Sequence, residues 1–177
     1  ILSSQDPVTG GVTYFHTLHP GSAKDFNRPF HDFTCCCGTA YESHAKYGEA
    51  IYYKSENEKG IYVNLFIAGS ADIDMGDDRL KVTQKTTYPW DGEVRMTVES
   101  EHPLSQKLKI RLPAWCDKYN LKVDGKGISA EQEKGYATIE PNGKKRMEVV
   151  LHMDMPVKVV AADPRVKENV GKRAIQR

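Results

Sequence analysis

The chain has no apolar run approaching the ~18–20 residues that a membrane helix needs. It has no excess of either charge: 25 Lys and Arg stand against 24 Asp and Glu, a net charge of +1. That balance leaves no general electrostatic footprint for nucleic acid or for an acidic membrane surface. No internal repeat or low-complexity tract stands out. Cysteine is scarce and unevenly placed, with three of the four residues adjacent at Cys35, Cys36 and Cys37. This is not the spaced pattern of a secreted disulfide framework. Neighbouring cysteines also pair poorly with each other, because their Cα atoms lie only ~3.8 Å apart, shorter than the usual disulfide span. Hydrophobic residues make up 39% of the chain, below the usual globular share, so much of the sequence must serve polar faces. At 177 residues, one domain or one domain plus part of another is expected.

What is present divides into two regions. Residues 1–57 are irregular, with a short strand expected near 11–16 and one helix over about 40–53. Tyr41, His44, Ala45, Gly48, Ile51 and Tyr52 recur at three- and four-residue spacing and give that helix a face. Thr39-Ala40-Tyr41-Glu42 reads as a capping box, with hydroxyl and carboxylate satisfying each other's backbone N–H groups. The three thiols would then stand at a helix N-terminus, where the dipole favours the thiolate, the better nucleophile and metal ligand.

From Gly60 the period changes to two. Ile61, Val63, Leu65 and Ile67 alternate with Tyr62, Asn64 and Phe66. Similar alternation runs through Val94–Met96–Val98, Leu108–Ile110–Leu112 and Met147–Val149–Leu151–Met153. Strict alternation means one face on a core and one in water. Asp91-Gly92, Asp124-Gly125 and Asn142-Gly143 read as hairpin turns between such runs. The fold class expected is mainly β: an antiparallel β-sandwich over 58–177, preceded by a short loop–helix segment. The boundary falls near 55–60.

The cysteine segment also carries a resemblance. Phe33-Thr34-Cys35-Cys36-Cys37-Gly38-Thr39-Ala40-Tyr41-Glu42, followed by His44-Ala45-Lys46-Tyr47-Gly48-Glu49-Ala50-Ile51-Tyr52, resembles glycoside hydrolase family 127, the β-L-arabinofuranosidase group. Tyr62-Val63-Asn64-Leu65-Phe66-Ile67, Ile110-Arg111-Leu112-Pro113-Ala114-Trp115 and the closing Asn169-Val170-Gly171-Lys172-Arg173-Ala174-Ile175-Gln176-Arg177 extend it over most of the chain. The resemblance implies a zinc-dependent retaining glycosidase acting on a carbohydrate. It implies that residues 1–57 complete an (α/α) barrel whose N-terminal part is missing here, and that the sandwich lacks its last strand. Registered on Tyr47-Gly48 and Ile51-Tyr52, the family's cysteine pair falls on Cys35 and Cys36, making Cys35 the nucleophile and both residues zinc ligands. A slip of one residue would choose Cys36 and Cys37. The remaining ligands and the acid/base Glu would lie upstream; residues 1–34 contain neither Glu nor Cys. The chain alone is therefore expected to be inactive.

Other readings compete. His31 or His44 could join the thiols in a closed structural zinc site without catalysis. The sandwich could be a noncatalytic module that binds carbohydrate or props another domain, with Tyr88, Trp90 and Trp115 stacking on sugar rings. Asp72, Asp74, Asp77 and Asp78 match a calcium loop only loosely and suit a solvated turn better. Cys116 reads as a packed thiol.

Overall fold

The structure is a computed structural model; it describes residues 4–17, 19, 21–28, 35–55 and 59–176. The chain divides into two compact units, Ile1–Ala50 and Ile51–Arg177.

Among the described residues of the first unit, an isolated bridge between Gln5 and Val12 stands where a short strand was expected. The turn between them is held by Asp6, whose carboxylate accepts from the Thr9 hydroxyl and the Val8 N–H. Those bonds hold its carboxyl below the usual value. Helix α1 spans Cys35–Lys46, and a 3₁₀ turn follows at Tyr47–Ala50. The helix starts earlier and ends sooner than the 40–53 expected. Its early start takes the three cysteines into the first turn and Thr39 into the second. The capping box therefore does not form. The Thr39 hydroxyl donates back to the Cys35 carbonyl at 3.4 Å, and Glu42 pairs with Lys46 one turn on. Its early end has two causes: Gly48 weakens helix, and Ile51-Tyr52-Tyr53 are β-branched or aromatic residues that suit a strand.

In the second unit the strands are β1 (Tyr52–Lys54), β2 (Gly60–Val63), β3 (Gly69–Asp74), β4 (Arg79–Thr86), β5 (Glu93–Ser100), β6 (Lys107–Arg111), β7 (Tyr119–Val123), β8 (Lys126–Ile128), β9 (Glu131–Glu133), β10 (Tyr136–Ile139), β11 (Arg146–Met153), β12 (Lys158–Val160) and β13 (Ala174–Gln176). One sheet has the order β1-β2-β6-β10-β9, and the other β3-β4-β5-β11-β7-β8. β12 and β13 pair separately. This is the expected sandwich, with one departure from antiparallel pairing: β2 and β6 run parallel. The chain leaves β2 for the other sheet and returns at β6, and a crossover of that kind is what a parallel pair requires.

The inward residues of both sheets form one core. Ile61, Val63, Leu108, Ile110 and Ile139 come from the first sheet; Leu80, Val82, Val94, Met96, Val149 and Leu151 come from the second. β4 and β11 alternate buried and exposed along nearly their whole length, as their period-two sequences require. Among the described residues, Gln84 is a polar residue at an inward position. The Gln84 amide donates to the Tyr52 hydroxyl at 2.9 Å and to the Leu65 carbonyl at 3.1 Å.

The turn dipeptides behave differently from one another. Asp124 and Gly125 both have left-handed backbone, φ +47° and +78°, and join β7 to β8 as a two-residue hairpin. Asp124 also accepts from the Glu148 N–H, Lys144 and Asn142, which holds its carboxyl below the usual range. Asn142-Gly143 is not a hairpin turn, because β10 and β11 belong to different sheets. Asp91-Gly92 ends a longer loop between β4 and β5. Lys134-Gly135 forms a second two-residue hairpin, β9 to β10, without the Asn-Gly or Asp-Gly signature of such turns. Asp72 and Asp74 lie on β3, and Asp77 and Asp78 in the turn after it. Asp78 accepts from the Ser100 hydroxyl at 2.7 and 2.8 Å.

Gly92 is held closely: its carbonyl accepts from the Met153 N–H at 3.0 Å, and a Cβ there would stand 2.0 Å from the Met153 carbonyl oxygen. Backbone cannot move aside as a flexible side chain can. Gly92→Ala should therefore lower stability by about 2–3 kcal/mol in denaturant unfolding. A change below ~0.5 kcal/mol would mean that the two segments can separate freely.

Candidate functional site

The site belongs to the first unit and is built around the first turn of α1. Successive residues of a helix point about 100° apart, so three adjacent side chains cannot face one way. Here Cys35 and Cys36 are exposed, while Cys37 is buried at 2% exposure. The Cys35 and Cys36 sulfurs lie 3.7 Å apart.

Among the described residues, Tyr14 and Asn27 from earlier in the chain approach this turn. Cys36 first, and Cys35 next, push the Tyr14 hydroxyl above the usual tyrosine value. The Asn27 amide donates to the Cys37 sulfur at 3.6 Å, and its Oδ1 accepts from the Val12 N–H. Neither Tyr14 nor Asn27 carries a signal of this role in the sequence. Both are far from the cysteines in sequence, and only the folded path of residues 12–27 brings them in.

The sulfur separation can be tested against a metal. Zn–S bonds of about 2.3 Å in tetrahedral geometry put two ligand sulfurs about 3.8 Å apart. The Cys35–Cys36 spacing fits two corners of such a tetrahedron. Among the described residues, no three His, Cys, Asp or Glu side chains gather to complete one. His44 is no third ligand. Its Nδ1 bonds the Ala40 carbonyl at 2.7 Å, its ring packs on Tyr47 at 5.4 Å, and eight residues of helix put it about 12 Å along the axis from Cys36. His31 lies outside the described residues.

In the second unit, Cys116 donates from Sγ to the Lys118 carbonyl at 3.2 Å, and burial pushes its thiol up. Tyr88, Trp90 and Trp115 come together in a cleft of about 440 Å³, with Met155, Pro156 and Lys158 on its walls. Trp90 is 72% exposed. Lys158 is paired with Asp117 at 2.6 Å.

Known proteins resemble both units. Residues 60–155 match the GH127 middle domain of β-L-arabinofuranosidase, and residues 1–49 match the GH127 catalytic domain. The chain is 32% identical over 147 residues to a non-reducing end β-L-arabinofuranosidase of Bifidobacterium longum subsp. longum, covering 81% of this chain and 22% of that protein. A GH127 β-L-arabinofuranosidase of Geobacillus stearothermophilus T6 superposes with a TM-score of 0.73 at 32% identity, over 81% of this chain and 22% of its own. A further solved glycoside hydrolase superposes with a TM-score of 0.75 at 28% identity, over 95% of this chain and 28% of its own. The chain thus spans between a fifth and a third of these relatives.

Exposure and burial rank the four thiols. With metal removed, Cys35 and Cys36 should alkylate with iodoacetamide well ahead of Cys37 and Cys116, as read by peptide mass spectrometry over time. Equal rates at Cys35 and Cys116 would mark the triplet as ordinary packing.

Proposed function

The chain belongs to the GH127 β-L-arabinofuranosidase family, and from that premise we propose that the whole protein is a zinc-dependent retaining glycosidase. Its substrate is a β-L-arabinofuranoside of a plant polysaccharide or glycan, and Cys35 is its nucleophile. The observation that carries this is the outward Cys35–Cys36 pair, 3.7 Å apart in the first turn of a helix. Cys35 and Cys36 would hold zinc, which when bound keeps both sulfurs deprotonated at neutral pH.

The chain's own residues then have the following work. Cys35 attacks the anomeric carbon; the new S–C bond replaces the glycosidic C–O bond and gives a thioglycosyl intermediate. The leaving oxygen takes a proton from a glutamic acid elsewhere in the whole protein. That residue next deprotonates a water, which displaces the sulfur with a second inversion and so retains configuration. Tyr14, whose hydroxyl the two cysteines push above the usual tyrosine value, would offer the pair a hydrogen-bond donor. Cys37 takes no part in bond making; it is the buried member.

A second reading is favoured by the cleft of Tyr88, Trp90 and Trp115. Exposed aromatic faces beside an ion pair suit a sugar ring, apolar on its C–H face and polar at its rim. The sandwich would then hold carbohydrate without acting on it. Trp90→Ala would weaken binding of an arabinofuranosyl oligosaccharide by roughly tenfold, followed by tryptophan fluorescence, if this reading holds. Unchanged affinity would leave the aromatics to packing.

Activity is tested by release of aryl alcohol from an aryl β-L-arabinofuranoside. The full-length protein should be active, Cys35→Ser in it inactive with fold and zinc content kept, and residues 1–177 alone inactive. Activity retained in Cys35→Ser would remove Cys35 as nucleophile. An inactive wild type would remove the assigned sugar.

A further inference from the structure

We propose that Asn27 is a positioning residue for the thiolate pair: its amide clips Cys37 inward and so fixes which two sulfurs of the triplet face outward. The proposal rests on the reading of Cys35 and Cys36 as the working thiols.

The need for such a device follows from the helix itself. A rotation of one residue, about 100°, would exchange the outward pair Cys35–Cys36 for Cys36–Cys37. A helix is normally held against such rotation by a broad apolar stripe. Within this chain, which spans between a fifth and a third of its relatives, the helix buries Cys37 among its twelve residues. A hydrogen bond to that residue is a directional contact that can set its register.

Asn27 is built to supply that bond. Its backbone N–H donates to the Val12 carbonyl at 3.1 Å, while its Oδ1 accepts from the Val12 N–H. Backbone and side chain of one residue thus grip the same peptide neighbourhood, which leaves the amide plane no freedom to turn. The Nδ2 donor then points at the Cys37 sulfur, 3.6 Å away. The close approach depends on Gly11, where a Cβ would stand 2.9 Å from the Asn27 carbonyl oxygen. Tyr14, two residues beyond Val12, lies in the same segment.

The test uses the full-length protein with Asn27→Asp, which keeps the oxygen toward Val12 and removes the donor toward sulfur. Its kcat should fall by roughly 10- to 100-fold with KM within about threefold, since misplaced reacting atoms cost turnover rather than binding. Without metal, iodoacetamide should now label Cys37 at a rate approaching that of Cys35. Unchanged kcat, or lowered kcat with Cys37 still protected, would overturn the proposal. Cys37→Ala removes the acceptor from the other side and should reproduce the fall in kcat; if Asn27→Asp does not fold, that variant decides. Cys35→Ser in the same assay separates the two claims: activity there would remove the nucleophile assignment, while the labelling pattern still reports on the clip.

Discussion

Everything in the second unit depends on the facing of two sheets across one apolar layer. β11 shows the constraint most plainly. It lies between β5 and β7, and Met147, Val149, Leu151 and Met153 all point inward, each fully or almost fully buried. Removing such a strand's apolar row would expose both neighbours at once. The polar side of the same strand bears Arg146, which pairs with Glu99 and Glu148 at the surface. Such exposed pairs add little to stability; the inward row sets the register.

The sandwich was legible because period two is a direct statement about burial. Ile61, Val63, Leu108, Ile110, Val149 and Leu151 are core residues in the structure, as their alternation implies. Turn chemistry was less legible. Asp124-Gly125 and Asn142-Gly143 look alike as dipeptides, yet one closes a hairpin and the other carries the chain between sheets. Local backbone preference says where the chain turns and not which strand it meets next. The β3 strand, with Asp72 and Asp74, was hidden by its charge: its residues are exposed or half-buried, so no apolar rhythm marks it.

The site was legible only in part. Three adjacent thiols next to a helix are visible in any reading of the sequence, but the helix boundary was misplaced. Thr39 and Glu42 satisfy the spacing of a cap, and each found a partner within the helix instead. The contacts of Tyr14 and Asn27 with the cysteines span a stretch without periodicity, where sequence gives no pairing signal. Cys37 illustrates the difference between composition and place. It shares its chemistry with its neighbours, and its surroundings withdraw it from solvent.

The parallel pairing of β2 and β6 has a consequence for how the chain is made. Tyr62 on β2 and Lys109 on β6 are joined across a separation of 47 residues, by a bond of 3.2 Å from ammonium to hydroxyl. The partners that lie between them, β3, β4 and β5, are joined as successive antiparallel neighbours and need only short loops to meet. Short loops close first, because loop-closure entropy must be met before distant contacts return anything. As the polypeptide leaves the ribosome, β2 must wait as an unpaired edge on its inner side until β6 emerges. The first sheet therefore assembles around a strand made early and placed late, and its exposed hydrogen-bonding edge is the interval in which a nascent chain is open to mispairing.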